Sequence, residues 1–380
     1  MRAHNLALIL RLITDTGPVS RVDLAERTGL TKATVSTLVA ELVDAVLVQD
    51  IGPAGAISTG GRPPTLLETG NLGPMAVGVQ VDVDHVAGCL VDLGGRVRAR
   101  EVRRLSTVGL TPREVVHAMR RMLGRLLAAA VDTGRLVAGV GVALPAVVES
   151  GTDPVVTWAP RFTWRDVDLR SLVAAELAAL GAAELPVRIG NDAVFAARAE
   201  YRAAGLTAPT VVYVGGESDI GAAVLADGIV RPGARIGGSG FGHVPLRPRG
   251  ERCPCGARGC LDRYAGLAAL DTAHTRMVAG ARVQPASVTA AGEALGEALG
   301  PLLAALDPDV TLIGGRLGAL GAGLLEPVRR RLDTFVPGLT ARSAVRAGTV
   351  GPDAAMRGAA LSVVEGIVAD PSSWIREMTA

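Results

Sequence analysis

The chain of 380 residues is too long for one average core and predicts two or three domains. Its residues are 49% hydrophobic but only 3% aromatic, so Ala, Val and Leu must fill the interior, and a net charge of +2 argues for no polyanionic partner by itself. No apolar run reaches the roughly eighteen residues of a membrane span, and no small-residue cleavage site follows the basic, apolar start MRAHNLALILRL, which predicts a soluble, cytoplasmic protein with no membrane partner.

Leu6, Ile9, Leu10 and Ile13 recur at helical spacing and predict a first helix ending near Gly17-Pro18. Ser20 can cap a second helix, RVDLAERT, with Asp23 adding negative charge to its first turn. Thr31 caps a third, which buries Val35, Leu38, Val39 and Leu42. Two short helices joined through Thr28-Gly29-Leu30 form a helix-turn-helix. The face that opens the third helix carries Thr31, Lys32, Ala33, Thr34, Ser36 and Thr37, short groups and one cation suited to a major groove. The pieces VLVQD and PTLLET then predict a winged hairpin, with Arg62 on a Gly-Gly-Arg-Pro-Pro tip that fits a narrow minor groove. Arg21, Lys32 and Arg62 are expected near the DNA face, while Glu41, Asp44 and Asp50 are expected away from it. A protein-docking module is the competing reading, because residues 1–65 hold six basic and six acidic side chains.

Residues 1–69 are thus read as a winged helix-turn-helix domain, 70–75 as a linker and 76–380 as a two-lobed domain. AVGVQVDVDHVAGCLVDLGGRVRAREV predicts three strands, followed by the capped helix TPREVVHAMRRMLGRLLAAAVD and the buried strand LVAGVGVALPAVV. TVVYVGGESDIGAAVLADGIVRP repeats the three-strand unit, and VTLIGG follows as a later buried strand. Two such units predict an α/β fold with a cleft between lobes.

Between them lies GFGHVPLRPRGERCPCGARGC, with His243, Cys253, Cys255 and Cys260 able to close a tetrahedral zinc site. Gly256 and Gly259 let the loop double back. Buried thiols are the alternative, and a disulfide is disfavoured in a chain with no signal peptide.

The pattern GH, nine residues, then CxCGxxGC resembles the ROK family of sugar kinases and sugar-responsive repressors. The N-terminal run RxHNL, GPVSRxxLAExTGLxKxTVS and GGRPPxxL is similar to the winged helix-turn-helix of the family's repressors, a domain its kinases lack. The resemblance implies an actin-like, ribonuclease-H-like two-lobed domain, one structural zinc per chain, and a sugar pocket beside His243. It also implies operator DNA as a partner and a homodimer, or a tetramer of paired dimers.

Family kinases read DxGGTK, GTGIG and ExGH where this chain has Asp82-Val83-Asp84-His85, Glu217-Ser218-Asp219-Ile220-Gly221 and Gly240-Phe241-Gly242-His243. Acids in both phosphate loops argue against ATP binding and against any enzyme activity. The Asn191-Asp192-Ala193 motif matches the family's base, which leaves Asp192 as an acceptor for a ligand hydroxyl. Asn191, Asp192, His243 and Asp262 are expected to hold hydroxyls. Arg161, in the place of a family Asn, is expected either to point to solvent or to pair with an anionic effector. The leading expectation is a sugar-responsive transcriptional regulator, most often a repressor. A kinase with an accessory DNA-binding domain and a ligand-independent regulator are the alternatives.

Overall fold

The computed structural model describes residues 1–53, 64–149, 154–231, 238, 240–266, 269–270, 285–335, 337–338 and 343–379. The N-terminal unit runs α1 (Arg2–Thr16), β1 (Val19–Ser20), α2 (Arg21–Thr28), α3 (Lys32–Asp44), β2 (Val48–Pro53) and β3 (Thr65–Thr69). Ser20 and Asp23 close a full capping box at α2, the hydroxyl accepting from the Asp23 amide at 3.2 Å and the carboxylate from the Ser20 amide at 3.0 Å. Gly29 ends that helix in the left-handed region, φ +70°, which frees the chain to turn sharply into α3. Strand β1, absent from the sequence reading, pairs with β3, and β3 pairs with β2, giving a three-stranded wing.

Two five-stranded sheets follow. The first combines β4 (Met75–Val81), β5 (His85–Asp92), β6 (Val97–Arg104), β7 (Val137–Leu144) and β11 (Val187–Asn191), ordered β11-β7-β4-β5-β6. Helix α4 (Pro112–Val131) crosses over between β6 and β7, and α5 (Leu169–Ala178) precedes β11. A small sheet of β8 (Val147–Val148), β9 (Val156–Ala159) and β10 (Trp164–Val167) stands beside this lobe. The second large sheet combines β12 (Thr210–Gly215), β13 (Gly221–Ala226), β14 (Ile229–Arg231), β15 (Val310–Ile313) and β16 (Ala344–Ala347), ordered β14-β13-β12-β15-β16. Read outward from the first strand of each meander, the two orders are the same: a duplicated unit, as the repeated three-strand pattern predicts.

The remaining helices are α6 (Asp192–Ala203), α7 (Asp262–Ala265), α8 (Pro285–Leu306), α9 (Gly315–Gly318), α10 (Ala322–Leu332), α11 (Ala354–Ala369) and α12 (Pro371–Thr379). Helix α11 is buried on nearly every side, so it has no polar stripe and its periodicity is silent in the sequence. It lies on β4 and β7 and against α6, so that α6 and α11 together form the seam between the lobes. Glycines permit that approach. A Cβ on Gly358 would sit 1.7 Å from the Phe195 carbonyl oxygen of α6, and one on Gly78 would sit 1.9 Å from that of Met356. Gly358→Ala must therefore push the two helices apart, at a cost of about 2–3 kcal/mol. Gly124→Ala in α4, whose Cβ would meet only Leu180 at 3.4 Å, should be neutral or stabilising by up to about 1 kcal/mol. Urea denaturation midpoints of the two variants check the contrast.

The N-terminal unit does not stand apart. Leu6, Ile9, Leu10 and Ile13 of α1 belong to one continuous apolar cluster with Phe195 and Ala199 of α6 and Val364 and Ile367 of α11. Helix α1 also packs against α11 and α12, with Trp374 and Ile375 of α12 laid on the cluster.

Candidate functional site

Most of the expected DNA face is present and uncovered. Thr31, Lys32, Ala33, Ser36 and Thr37 are exposed at the start of α3, and Val35, Leu38 and Val39 turn inward. Two side chains depart from expectation. Thr34 is half-buried, its hydroxyl 2.9 Å from that of the cap Thr31, so it shapes the helix start more than it offers a free group. Arg21 and Asp50, expected on different faces, form a two-point ion pair at 2.9 and 3.3 Å, Arg21 following β1 and reaching across β3 to β2 in the three-stranded wing. Arg62 lies outside the described residues.

The cysteine loop folds as a short hairpin after a single 3-10 turn, Phe241–His243. Isolated bridges join Pro245 with Cys260 and Arg252 with Arg258, and Gly259, at φ +69°, sits where any Cβ would strike the Arg247 carbonyl at 1.5 Å. His243, Cys253, Cys255 and Cys260 offer four ligand atoms within 4.8 Å of one another. The His243 Nδ1 to Cys253 Sγ and Cys255 Sγ to Cys260 Sγ distances are both 3.6 Å. A tetrahedron with metal–sulfur bonds of about 2.3 Å has edges of about 3.8 Å, so these four residues fit one metal ion. All four cysteines of the chain are free thiols, which excludes the disulfide alternative in this structure.

The cleft residues are built from strand ends. Asn191 closes β11 and caps α6, its Oδ1 accepting from the Ala193 and Val194 amides at 3.0 and 3.2 Å and its Nδ2 donating to the Ala146 carbonyl at 3.2 Å. It is fully used in aiming the next residue, Asp192. That carboxyl is buried; Oδ1 accepts from the Ala193 amide at 2.8 Å, while Oδ2 has no partner. Burial first, then the neighbouring Asp82 and Asp219 charges, pushes Asp192 up to about 8. Asn191, Asp192 and His243 line one cavity with Trp158, Asp219 and Ile220. Trp158 was not expected there; its ring lies 5.5 Å from that of His243. The cavity encloses only about 10 Å³, too little for a sugar ring.

Arginines close it. Arg161, in the β9–β10 loop, neither points to solvent nor stands free for an anionic effector. Its Nε donates to Asp219 Oδ1 at 2.5 Å and its Nη2 to Asp262 Oδ2 at 2.6 Å. Asp262, fully buried, also accepts from the Ile220 amide at 3.1 Å, so it is committed to Arg161 and backbone and does not line the cavity. The expectation that Arg161 points to solvent is therefore corrected, and in this structure Arg161 and Asp262 are paired with one another. Asp219, which stands where the family kinases read Gly in the second phosphate loop, supplies one of the two carboxylates that hold the guanidinium.

A second bridge spans the lobes on the nucleotide side. Arg316, at the start of α9 just after Gly314-Gly315, donates to Glu217 at 2.7 Å and to Asp84 of the other lobe at 3.3 Å. Asp84 is held well below the usual carboxylate range, by its hydrogen bond with His85 first and then by Arg316. Buried Glu217 and Asp82 are pushed up, burial being the largest cause in each. Arg316 escaped the sequence reading, although a lone Arg after a Gly-Gly pair, opposite acids in both loops, is the signal that could have found it. Among the cavities described, the largest is elsewhere: about 560 Å³ between α8, α10 and the cysteine loop, where Arg247, Glu297 and Arg331 are already ion-paired.

A family model described as the ROK family matches residues 76–365, well over half the chain. The chain belongs to the ROK family. A MarR family model matches residues 7–52, across α1 to β2. The xylose repressor of Bacillus subtilis is 30% identical over 70% of this chain, and the match spans 66% of that protein, just under two thirds. The xylose repressor of Caldicellulosiruptor bescii is 25% identical over 87% of each chain. The crystal structure of a ROK family transcriptional regulator, a homolog of the E. coli Mlc protein, superposes with a TM-score of 0.76 over 99% of both chains at 22% identity, which carries the fold. A ROK glucokinase from Streptomyces griseus, in complex with glucose and AMPPNP, covers 76% of this ROK chain and 98% of the enzyme, with a TM-score of 0.63 at 24% identity. Both of these sequence relatives are named repressors, and the likeness to the kinase is one of fold. No helix among the described residues is long and apolar enough to cross a membrane.

Proposed function

We propose that this ROK protein is a transcriptional repressor that binds operator DNA as a homodimer through α3, and that a sugar-like polyol entering the cleft at Asp192 weakens the binding. The observation that carries the reading is the continuity of the α1 core with α6, the helix that begins at Asp192. Helix α6 spans twelve residues, about 18 Å, from the cleft to a far end where Tyr201 packs on the same apolar cluster as α1. Near that end Glu200, fully buried, accepts from the amides of Thr349, Val350 and Gly351 at 2.6 to 3.0 Å and so fixes α6 to the approach to α11. A ligand that enters at Asp192 and opens the closed cleft would turn the lobes about this seam, and α1 would move with α11 and α12. A tenfold change in DNA affinity needs only about 1.4 kcal/mol of such coupling.

In this reading one zinc ion, held by His243, Cys253, Cys255 and Cys260, is structural, since four protein ligands leave no open position for a reactive water. Bound there it fixes the hairpin that presents His243 to the cleft. Phosphoryl transfer finds little support. Family kinases leave glycine-rich backbone free for phosphates, whereas here Asp84 and Glu217 occupy the loops and Arg316 is consumed in neutralising them. A ligand-independent regulator is favoured by one observation, the closed cleft of about 10 Å³; thermal shifts with a panel of sugars separate the two.

Lys32→Ala is expected to weaken all duplexes and to lower the slope of log affinity against log salt by about 1. Ser36→Ala should instead cost about 1–3 kcal/mol on the preferred site only. Fluorescence anisotropy on specific and scrambled duplexes at several salt concentrations reads both. Equal losses in the two variants would contradict the assignment of α3 to the major groove.

A further inference from the structure

Six carboxylates face the cleft or its closing bridges: Asp82, Asp84, Asp192, Glu217, Asp219 and Asp262. Among the described residues only two guanidiniums oppose them, Arg161 and Arg316, and each is already shared between two of the acids. Asp82 and Asp192 are left over, both buried, each with an Oδ2 atom that has no partner. A filled metal site would not reverse this balance, because three thiolates around a divalent ion leave a net negative charge.

On the reading of the cleft as an effector site, we infer that it selects its ligand by charge: it takes polyhydroxylated molecules that are neutral or carry an amine, and it rejects their phosphorylated and carboxylated forms.

Two physical reasons converge. An anionic group entering beside Trp158 and His243 would stand among carboxylates, with no free cation among the described residues to meet it. Were it to take Arg161 for itself, it would leave Asp262, 0% exposed, with the Ile220 amide as its one remaining partner among the described residues and an uncompensated buried charge. A hydroxyl or ammonium meets the opposite situation. Asp192 Oδ2 has no partner among the described residues, and a hydroxyl, which can both accept the carboxyl's proton and donate to its oxygen, or an ammonium, which favours the ionised form, satisfies it without breaking either bridge's charge balance.

The test uses the full-length protein and pairs of probes that share a carbon frame: D-xylose with D-xylonate, D-glucose with glucose 6-phosphate and with glucosamine, and N-acetylglucosamine with its 6-phosphate. Binding is read by thermal shift and calorimetry. Within any pair that binds, the anionic member should be at least about tenfold weaker, the penalty of one close like charge in a partly screened site. Asp219→Asn removes one of those charges and should narrow the gap several-fold, and so should higher salt. A phosphorylated or carboxylated sugar that binds as well as, or better than, its neutral partner overturns the charge rule while leaving a sugar-responsive regulator intact. A panel in which no member of any charge binds overturns the effector reading, and the charge rule with it.

Discussion

Cys255→Ser is expected to release the metal and to destabilise the second lobe by on the order of 4 kcal/mol, the range in which loss of a bound metal falls. The reason lies in the hairpin itself. It is held by a handful of backbone bonds, such as Leu246 to Gly259 at 2.8 Å and Cys253 to Ala257 at 2.9 Å, and by little apolar burial of its own. Without the ion, Cys253 and Cys260 remain buried thiols and His243 loses the partner that orients it beside Trp158. The effect should reach DNA binding through the cleft, which the loop lines with His243. Elemental analysis should find one zinc per wild-type chain and none in the variant, with three titratable thiols, Cys253, Cys255 and Cys260, appearing in wild type on chelation while Cys89 stays buried. Those three thiols found reactive in carefully purified, metal-free wild-type protein of unchanged melting temperature would contradict the structural role.

Asp192→Asn should have the opposite sign on stability and remove the response to ligand. Below pH 3.8 the carboxyl is protonated both folded and unfolded; between there and about 8 the folded state holds a proton that the unfolded state releases. Stability from this group is therefore full at low pH and is lost as pH rises toward 8. The amide has no such loss, so the variant should be more stable than wild type by on the order of 3 kcal/mol at pH 8, and by much less near pH 4. Asp82 and Glu217, raised in the same direction, leave the variant with a residual slope. Asp219, at about 6 through burial and Asp262 against the pull of Arg161, adds to it. Urea melts of both proteins from pH 4 to 8 read the difference, and a variant less stable at pH 8 than wild type would contradict the burial argument. The gain in stability is expected to come with at least a tenfold loss of ligand affinity, because a ligand donor at Oδ2 draws the carboxyl toward its ionised, stronger-accepting form, which the amide cannot adopt.

Much of this was legible in the residues. Capping signals at Ser20, Thr31 and Thr111 marked helix starts that the structure reproduces. The alternation and glycine turns of the two three-strand meanders gave the duplication, and the spacing of His243, Cys253, Cys255 and Cys260 gave a cluster that the fold brings within metal-binding distance. What stayed hidden was long-range pairing. Nothing local to Arg161 names Asp219 and Asp262, 58 and 101 residues away, and nothing local to Arg21 names Asp50 across the wing. Helix α11 was silent for a different reason: a segment buried on all sides has no amphipathic period, and its glycine contacts with α6 become meaningful only once both helices are placed.

The central claim is that occupancy of the cleft at Asp192 is read by α3. Its most direct test is to let the purified protein select duplexes from a random library, then to measure anisotropy on the selected site with and without a ligand found by thermal shift. Two inverted half-sites about 10 base pairs apart, centre to centre, should be enriched. Adding ligand should cost at least a tenfold loss of affinity, absent in Asp192→Asn. Selection of no sequence above the random pool, or a selected site whose affinity no bound ligand alters, would contradict it.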